Sequence, residues 1–172
     1  MYTIRPAVLG DLETITEIYN DAIRTTTATF DTIEKGYDEQ REWFESHGSG
    51  SPILVAETSG GVAGWACLSP WADRCAFKDT AETSIYLAPE ARGHGLGRKL
   101  LSALIEAGRV AGHHVLICRI AEGNDASLNL HYKLGFKPIG TMRQVGQKFG
   151  RRWDVHMAQM MLSGLSADSQ SG

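Results

Sequence analysis

The sequence predicts an α/β protein, more narrowly a mixed α+β sheet flanked by helices, and three observations carry that reading. Amphipathic helical repeats over about residues 10–24 and 95–112 alternate with short strand-like runs. The run "PILVAE", the turn "TSGG" and the run "VAGWACLS" read as a hairpin, which makes part of the sheet antiparallel. "HVLICRI" is apolar almost throughout, as a central strand covered on both faces would be.

Taken in order, "YTIRPA" opens as a strand, and Leu12, Ile15, Ile18, Tyr19 and Ala22 or Ile23 then fall at helical spacing behind Asp11, a candidate cap. A second short helix is predicted from Asp38 to Ser46, with Trp43 and Phe44 as its apolar face. After the hairpin, "AETSIYL" is a strand. The following helix repeats Leu96, Leu100, Leu104 and Ala107 down one side and ends at Gly112. "HVLICRI" precedes a helix from about Asn124 to Leu134, and "GFKPIGTMRQV" and "RWDVHMAQMML" are two strands joined by the turn "GQKFG". This order of elements makes a mixed sheet with helices on its faces. Residues 1–162 are expected to form one domain, and "SGLSADSQSG" from Ser163 is polar enough for a disordered tail.

Composition removes several classes of function. A chain of 172 residues can bury a sizeable core. Its formal net charge of −3 argues against a nucleic-acid partner, whose affinity needs an excess of Lys and Arg against phosphates. Cys67, Cys75 and Cys118 are odd in number and show neither CxxC nor Cys/His ligand spacing, so neither a disulfide framework nor a metal site is expected. With no run of about 18 apolar residues and no signal-peptide pattern in "MYTIRPAVLGD", a cytoplasmic protein without membrane attachment is expected.

The segment "PEARGHGLGRKL", Pro89 to Leu100, joins a strand to a helix with three glycines and several basic groups. It lacks the GxxxxGK[ST] of a P-loop, and its mid-chain position does not suit a dinucleotide fingerprint. What remains is R-x-x-G-x-G, Arg92 to Gly97, where converging backbone N–H groups and a helix dipole make a nest for a pyrophosphate. Glycine spacing alone reads as well as an ordinary turn with a solvated basic face.

"RGHGLG" after "SIYLAPEA", followed by "GNDASLNLHYKLGF", resembles the coenzyme-A-binding core of the GNAT superfamily of N-acetyltransferases. "EIYNDAI", "PILVAE", "GWACLSPW", "TAETSIYL" and "VGQKFGRRWD" are similar to its phosphinothricin and methionine-sulfone acetyltransferase branch. The resemblance spans residues 2 to 162. It implies acetyl-CoA as co-substrate, its pyrophosphate on the N–H groups of Arg92, Gly93, His94, Gly95, Leu96, Gly97 and Arg98, and its pantetheine arm along Ile85, Tyr86 and Leu87. Lys99 would add charge, and Asn124 and Ser127 would touch the cofactor, although Asn124 also reads as a helix cap. Glu82 is implied as the base that deprotonates the amine, though strand alternation alone makes it a solvent-facing carboxylate.

The Leu87 N–H is implied as the donor to the oxygen of a tetrahedral intermediate. Where many members have a tyrosine as acid for the leaving thiolate, this chain has His131, which reads as either a proton donor or a structural side chain. Gly123 replaces a glutamate and Arg152 an aromatic residue of the family pattern. The implied acceptor is a small amino acid such as methionine sulfone, methionine sulfoximine or phosphinothricin, acetylated on its α-amine. Arg74 is the candidate cation for it and Phe30 the candidate wall. A homodimer is implied, with Trp153, Phe149 and the last strand as candidate contacts. A protein N-terminal acetyltransferase and a non-catalytic acyl-CoA sensor are the other readings.

Overall fold

The structure, a computed structural model, describes residues 2–162. The tail expected from Ser163 lies outside the described residues. The chain runs β1 (Tyr2–Pro6), α1 (Leu12–Thr25), α2 (Tyr37–Ser46), β2 (Ile53–Thr58), β3 (Gly61–Pro70), β4 (Thr80–Leu87), α3 (Leu96–Val110), β5 (Val115–Ala121), α4 (Asp125–Lys133), β6 (Lys137–Lys148) and β7 (Arg151–Met161). These strands form a seven-stranded sheet in the order β1-β2-β3-β4-β5-β7-β6. Every neighbouring pair is antiparallel except β4 and β5. The mixed sheet expected from the order of elements is therefore present.

Each face of the sheet buries a separate apolar layer. The predicted stripe of α3 packs on one face, where Leu100, Leu101 and Leu104 are wholly buried with Leu68, Leu116 and Phe136. Side chains buried to that degree contribute about 1.5–3 kcal/mol each. On the other face, Ile15 and Ile18 of α1 and Trp43 of α2 pack on Val55, Trp65 and Tyr86. Buried Cys67 and Cys118 have thiols pushed up to about 12 by desolvation, and Cys75 is exposed. Among the described residues no helix is long and apolar enough to cross a membrane.

Two local expectations change. Asp11 does not cap α1 with its side chain. Its carboxylate instead takes the Arg5 guanidinium at 2.7 and 2.9 Å and the Val8 N–H at 2.9 Å, because the tight entry from β1 turns it back toward that strand. The turn expected over "GQKFG" is also shorter. Gly146, Gln147 and Lys148 pair with Trp153, Arg152 and Arg151, which leaves Phe149 and Gly150 as a two-residue turn with φ of 52° and 76°. Left-handed φ at both central positions is what a type I′ hairpin needs. Just upstream, the β6–β7 register shifts between Met142 and Gly146, and Gln144 has φ of 53°.

Arg5, chiefly by its hydrogen bonds, holds the Asp11 carboxyl below its ordinary value. A lowered folded-state pKa stabilises above the unfolded value near 3.9 and is lost as pH falls through the lower folded value. Asp11→Ala is therefore expected to cost about 1–2 kcal/mol in urea unfolding at neutral pH. That difference from wild type should shrink below about pH 4.

Candidate active site

The parallel strands β4 and β5 share only three register positions, Thr80 with Val115, Ala81 with Leu116 and Glu82 with Ile117. Beyond them β4 stays on β3 to Leu87, and β5 stays on β7 to Ala121. The sheet forks at Glu82. In the β3–β4 ladder, Ala88 donates to Ala63 and Trp71 to Thr80, so even-numbered β4 residues bond toward β3. Alternation turns the N–H groups of Ile85 and Leu87 the other way, into the gap left by β5. The resulting cleft, about 580 Å³, takes in Glu82 to Tyr86 of β4, Cys118 to Ala121 of β5, the start of α4 and the segment Thr27–Phe30.

One end of the gap meets the glycine segment. Gly93 and Gly95 have φ of 80° and 77°, a backbone that only glycine adopts without strain. Among the described residues no protein acceptor meets the N–H groups from Gly93 to Arg98. They surround the N-terminus of a 15-residue helix, where partial positive charge favours an anion. Arg92 braces the segment by donating from Nε to the Leu87 carbonyl at 3.2 Å. His94, Arg98 and Lys99 are exposed. Gly97 is buried in the first turn of α3, where a Cβ would come into contact with Leu130 and Leu87 at 3.4 Å.

At the fork, Glu82 holds Arg119 through two bonds of 2.6 Å, from Nε to Oε1 and from Nη2 to Oε2. The Glu82 side chain is 16% exposed and that of Arg119 50%. Arg119 lies two residues beyond Ile117, the partner of Glu82, and so projects from the same face of the sheet. Its guanidinium sits 5.5 Å from the Trp71 ring. The hydrogen bonds to Glu82 raise its pKa further. Sequence reasoning missed Arg119, although a charge inside the apolar run "HVLICRI" marks it.

His131 is 2% exposed. Its Nδ1 lies 2.8 Å from the Ser127 carbonyl, which fixes the proton on that nitrogen, and its Nε2 faces the Thr83 hydroxyl at 3.3 Å. Desolvation lowers its pKa. A neutral ring with its one N–H committed has no proton to give, so between acid and structural support the geometry favours support. Asn124 caps α4 through the Ser127 N–H at 3.4 Å. Asn124 and Ser127 also line the cleft with His131. Gly123 has φ of 83°, a conformation the family's glutamate would adopt only with strain.

The other end of the cleft is walled by Thr27–Phe30, the connection leaving α1. The Phe30 ring lies directly over Gly146, where an added Cβ would fall 2.5, 2.6 and 2.8 Å from ring carbons. The ammonium of buried Lys148 donates to the Thr29 carbonyl at 2.8 Å, and desolvation lowers its pKa. The Tyr19 hydroxyl lies 2.9 Å from the Thr29 hydroxyl and donates to Asp31 at 2.8 Å. Arg74 is not brought here. It is exposed at the start of a short 3-10 turn, Cys75–Phe77, and is not among the residues lining the cleft, because the loop after β3 carries it outward.

The Phe30–Gly146 contact makes a prediction. Gly146→Ala should destabilise the protein by about 1–3 kcal/mol, as overpacking does. In a Phe30→Ala background most of that cost should vanish, a coupling read by urea unfolding of the four proteins in a double-mutant cycle.

Comparison with known proteins agrees with this geometry. Residues 14–136 match the model of the acetyltransferase (GNAT) family. An L-methionine sulfoximine/L-methionine sulfone acetyltransferase of Pseudomonas aeruginosa is 43% identical over 162 residues, covering 93% of this chain and 94% of that protein. A phosphinothricin acetyltransferase of Sinorhizobium meliloti, solved in complex with acetyl-CoA, superposes with a TM-score of 0.91 at 36% identity, over 99% of this chain and 93% of the other. A structure named ribosomal-protein-alanine N-acetyltransferase, from Brucella melitensis, gives 0.90 at 42% identity over 93% and 99%. With its forked sheet, its glycine nest and these relatives, the chain belongs to the GNAT acetyltransferase family.

Proposed function

We propose that this chain uses acetyl-CoA to acetylate the α-amine of a small amino-acid-like acceptor, of the methionine sulfone, methionine sulfoximine or phosphinothricin kind. The observation that carries the reading is the fork itself. The carboxylate and the free edge at Ile85 line one cleft, and the anion nest adjoins the end of that edge, where Arg92 holds the Leu87 carbonyl. The nest from Gly93 to Arg98 fits a pyrophosphate, and the free edge of β4 at Ile85 and Leu87 fits an amide-bearing arm such as pantetheine.

Glu82 takes a proton from the acceptor ammonium, which gives the nitrogen a lone pair for attack on the thioester carbon. The Leu87 N–H donates to the carbonyl oxygen as negative charge builds there. Attack forms the N–C bond and a tetrahedral intermediate, the nitrogen gives its second proton to solvent, and the C–S bond then breaks with sulfur leaving with the electron pair. His131, neutral and committed to Ser127, keeps α4 in place against Thr83. The thiolate, with an ordinary pKa near 8.5, takes its proton from solvent. Overall an ammonium and a thioester give an amide, a thiol and one released proton.

A second reading, acetylation of a protein N-terminus, has the name of the Brucella relative in its favour. A homodimer belongs to the main reading. Phe149 is exposed and available to it, whereas Trp153 donates its indole N–H to the Lys148 carbonyl and is covered by Arg151 at 3.8 Å. Light scattering at micromolar concentration should give twice the mass of one chain.

Thiol release from acetyl-CoA with methionine sulfone, methionine sulfoximine, phosphinothricin, methionine and an alanine-initiated peptide tests the function. Turnover of the oxidised acceptors is expected, and no turnover with any amine would overturn the proposal. Glu82→Gln should keep acetyl-CoA binding and lose about 10²-fold to 10⁴-fold in kcat. Gly95→Val should raise KM for acetyl-CoA several-fold with KM for the acceptor unchanged, because φ of 77° excludes a branched side chain.

A further inference from the structure

Glu82 raises a difficulty as a base. Both of its oxygens are occupied by Arg119. Those two charge-assisted bonds must be given up or shared before an ammonium can be held on the same face of the carboxylate. An acceptor that draws Arg119 away would free the lone pairs it holds for the acceptor's own ammonium.

Among the residues lining the cleft, Glu82 and Arg119 are the acid and the base of opposite full charge; His131, the remaining titratable nitrogen, is neutral. The other cations are committed or distant. Lys148 is buried on the Thr29 carbonyl, Arg92 braces Leu87, and Arg74 is outside the cleft. Arg119 by contrast is half exposed, and its Nη1 has no protein acceptor among the described residues. An α-amino acid carries the same two charges in the opposite sense.

We propose that the Glu82–Arg119 pair is the receptor for the zwitterionic head of the acceptor, Arg119 taking its α-carboxylate and thereby releasing Glu82 to the ammonium. This rests on the reading that the acceptor is an α-amino acid. The exchange leaves all four charged groups paired, so none is stranded in the cleft. A simple amine offers Arg119 nothing in return for Glu82. Neither does the N-terminal residue of a peptide, whose carboxyl is an amide. The pair therefore acts as a check: the base stays closed until a molecule with both charges enters.

The test uses methionine sulfone, its carboxamide and the corresponding decarboxylated amine as matched acceptors. Wild type should favour the free acid over both by about 10²-fold in kcat/KM, the scale expected when one partner of a charge pair is removed. Arg119→Met should cut kcat/KM for the acid by a similar factor and leave or raise that for the amine, so the preference collapses to within a few-fold. Arg119→Lys, which restores charge without the fork, should recover part of it. Acetyl-CoA binding by calorimetry should be unchanged in both variants, which separates loss of the clamp from loss of the fold. Equal losses for acid and amine in Arg119→Met would overturn the proposal, as would a wild type indifferent to the carboxylate. If wild type acetylated none of the three, the acetyltransferase reading would fall. Calorimetry with the coenzyme A complex would still decide the clamp: acid binding absent in Arg119→Met supports it, and equal binding by both proteins defeats it.

Discussion

Two parallel strands that hydrogen-bond over three positions and then part leave one strand edge unsatisfied inside the protein, and the rest of the site answers that condition. The fork is fixed because β4 cannot leave β3 and β5 cannot leave β7 without breaking longer antiparallel ladders. Buried backbone N–H and C=O groups need partners, so an open edge at Ile85 and Leu87 calls for water or for a ligand with its own amides. The Leu87 carbonyl is met by Arg92. The N–H groups remain to donate.

Charge is arranged along the same gap with the protein's overall balance playing little part. The formal net charge is −3, yet one end of the gap gathers helix-terminal N–H groups beside Arg92 and Arg98. The other end holds Glu82 and Arg119, which cancel. A multiply charged anion is thus favoured at the nest, while the fork is neutral toward net charge and selective for its separation. Neutral His131 between them adds no charge that would blur the two.

How much of this the sequence discloses depends on how far apart the partners lie along the chain. The α3 stripe and the αL glycines at 93 and 95 depend on neighbours within a few turns, so periodicity and glycine position disclose them. Gly97 reads as one of the loop glycines, yet it lies inside the first turn of α3 beside Leu87 and Leu130, neighbours that arrive from elsewhere. Arg119 meets Glu82 across 37 residues, and the meeting requires the parallel register of β4 on β5, which no local pattern specifies. Asp11 looked like a cap because its competitor, Arg5, lies on a strand whose direction is set by β2. Gly146 looked like part of a turn. The shifted register of β6 and the ring of Phe30, 116 positions earlier, decide otherwise. The loop carrying Arg74 could be placed beside β4 in sequence, but whether it folds over the cleft or away from it is set by long-range packing.

The division of labour follows from the same geometry. The groups proposed to handle the reaction sit on strands at the fork, where two ladders hold them. The wall at the far end of the cleft comes from the connection after α1, fastened by Phe30 on Gly146 and by Lys148 on Thr29. Those fastenings are specific but few, and loops so held change sequence at less cost than strands do. On the proposed function, an acceptor side chain can therefore be re-specified at positions 27 to 30 while the proposed head-group contact at Glu82 and Arg119 and the nest at Gly93 to Arg98 stay as they are. Changing Gly146 is different. A Cβ there would fall 2.5 to 2.8 Å from carbons of the Phe30 ring, so the ring or the strand must give way.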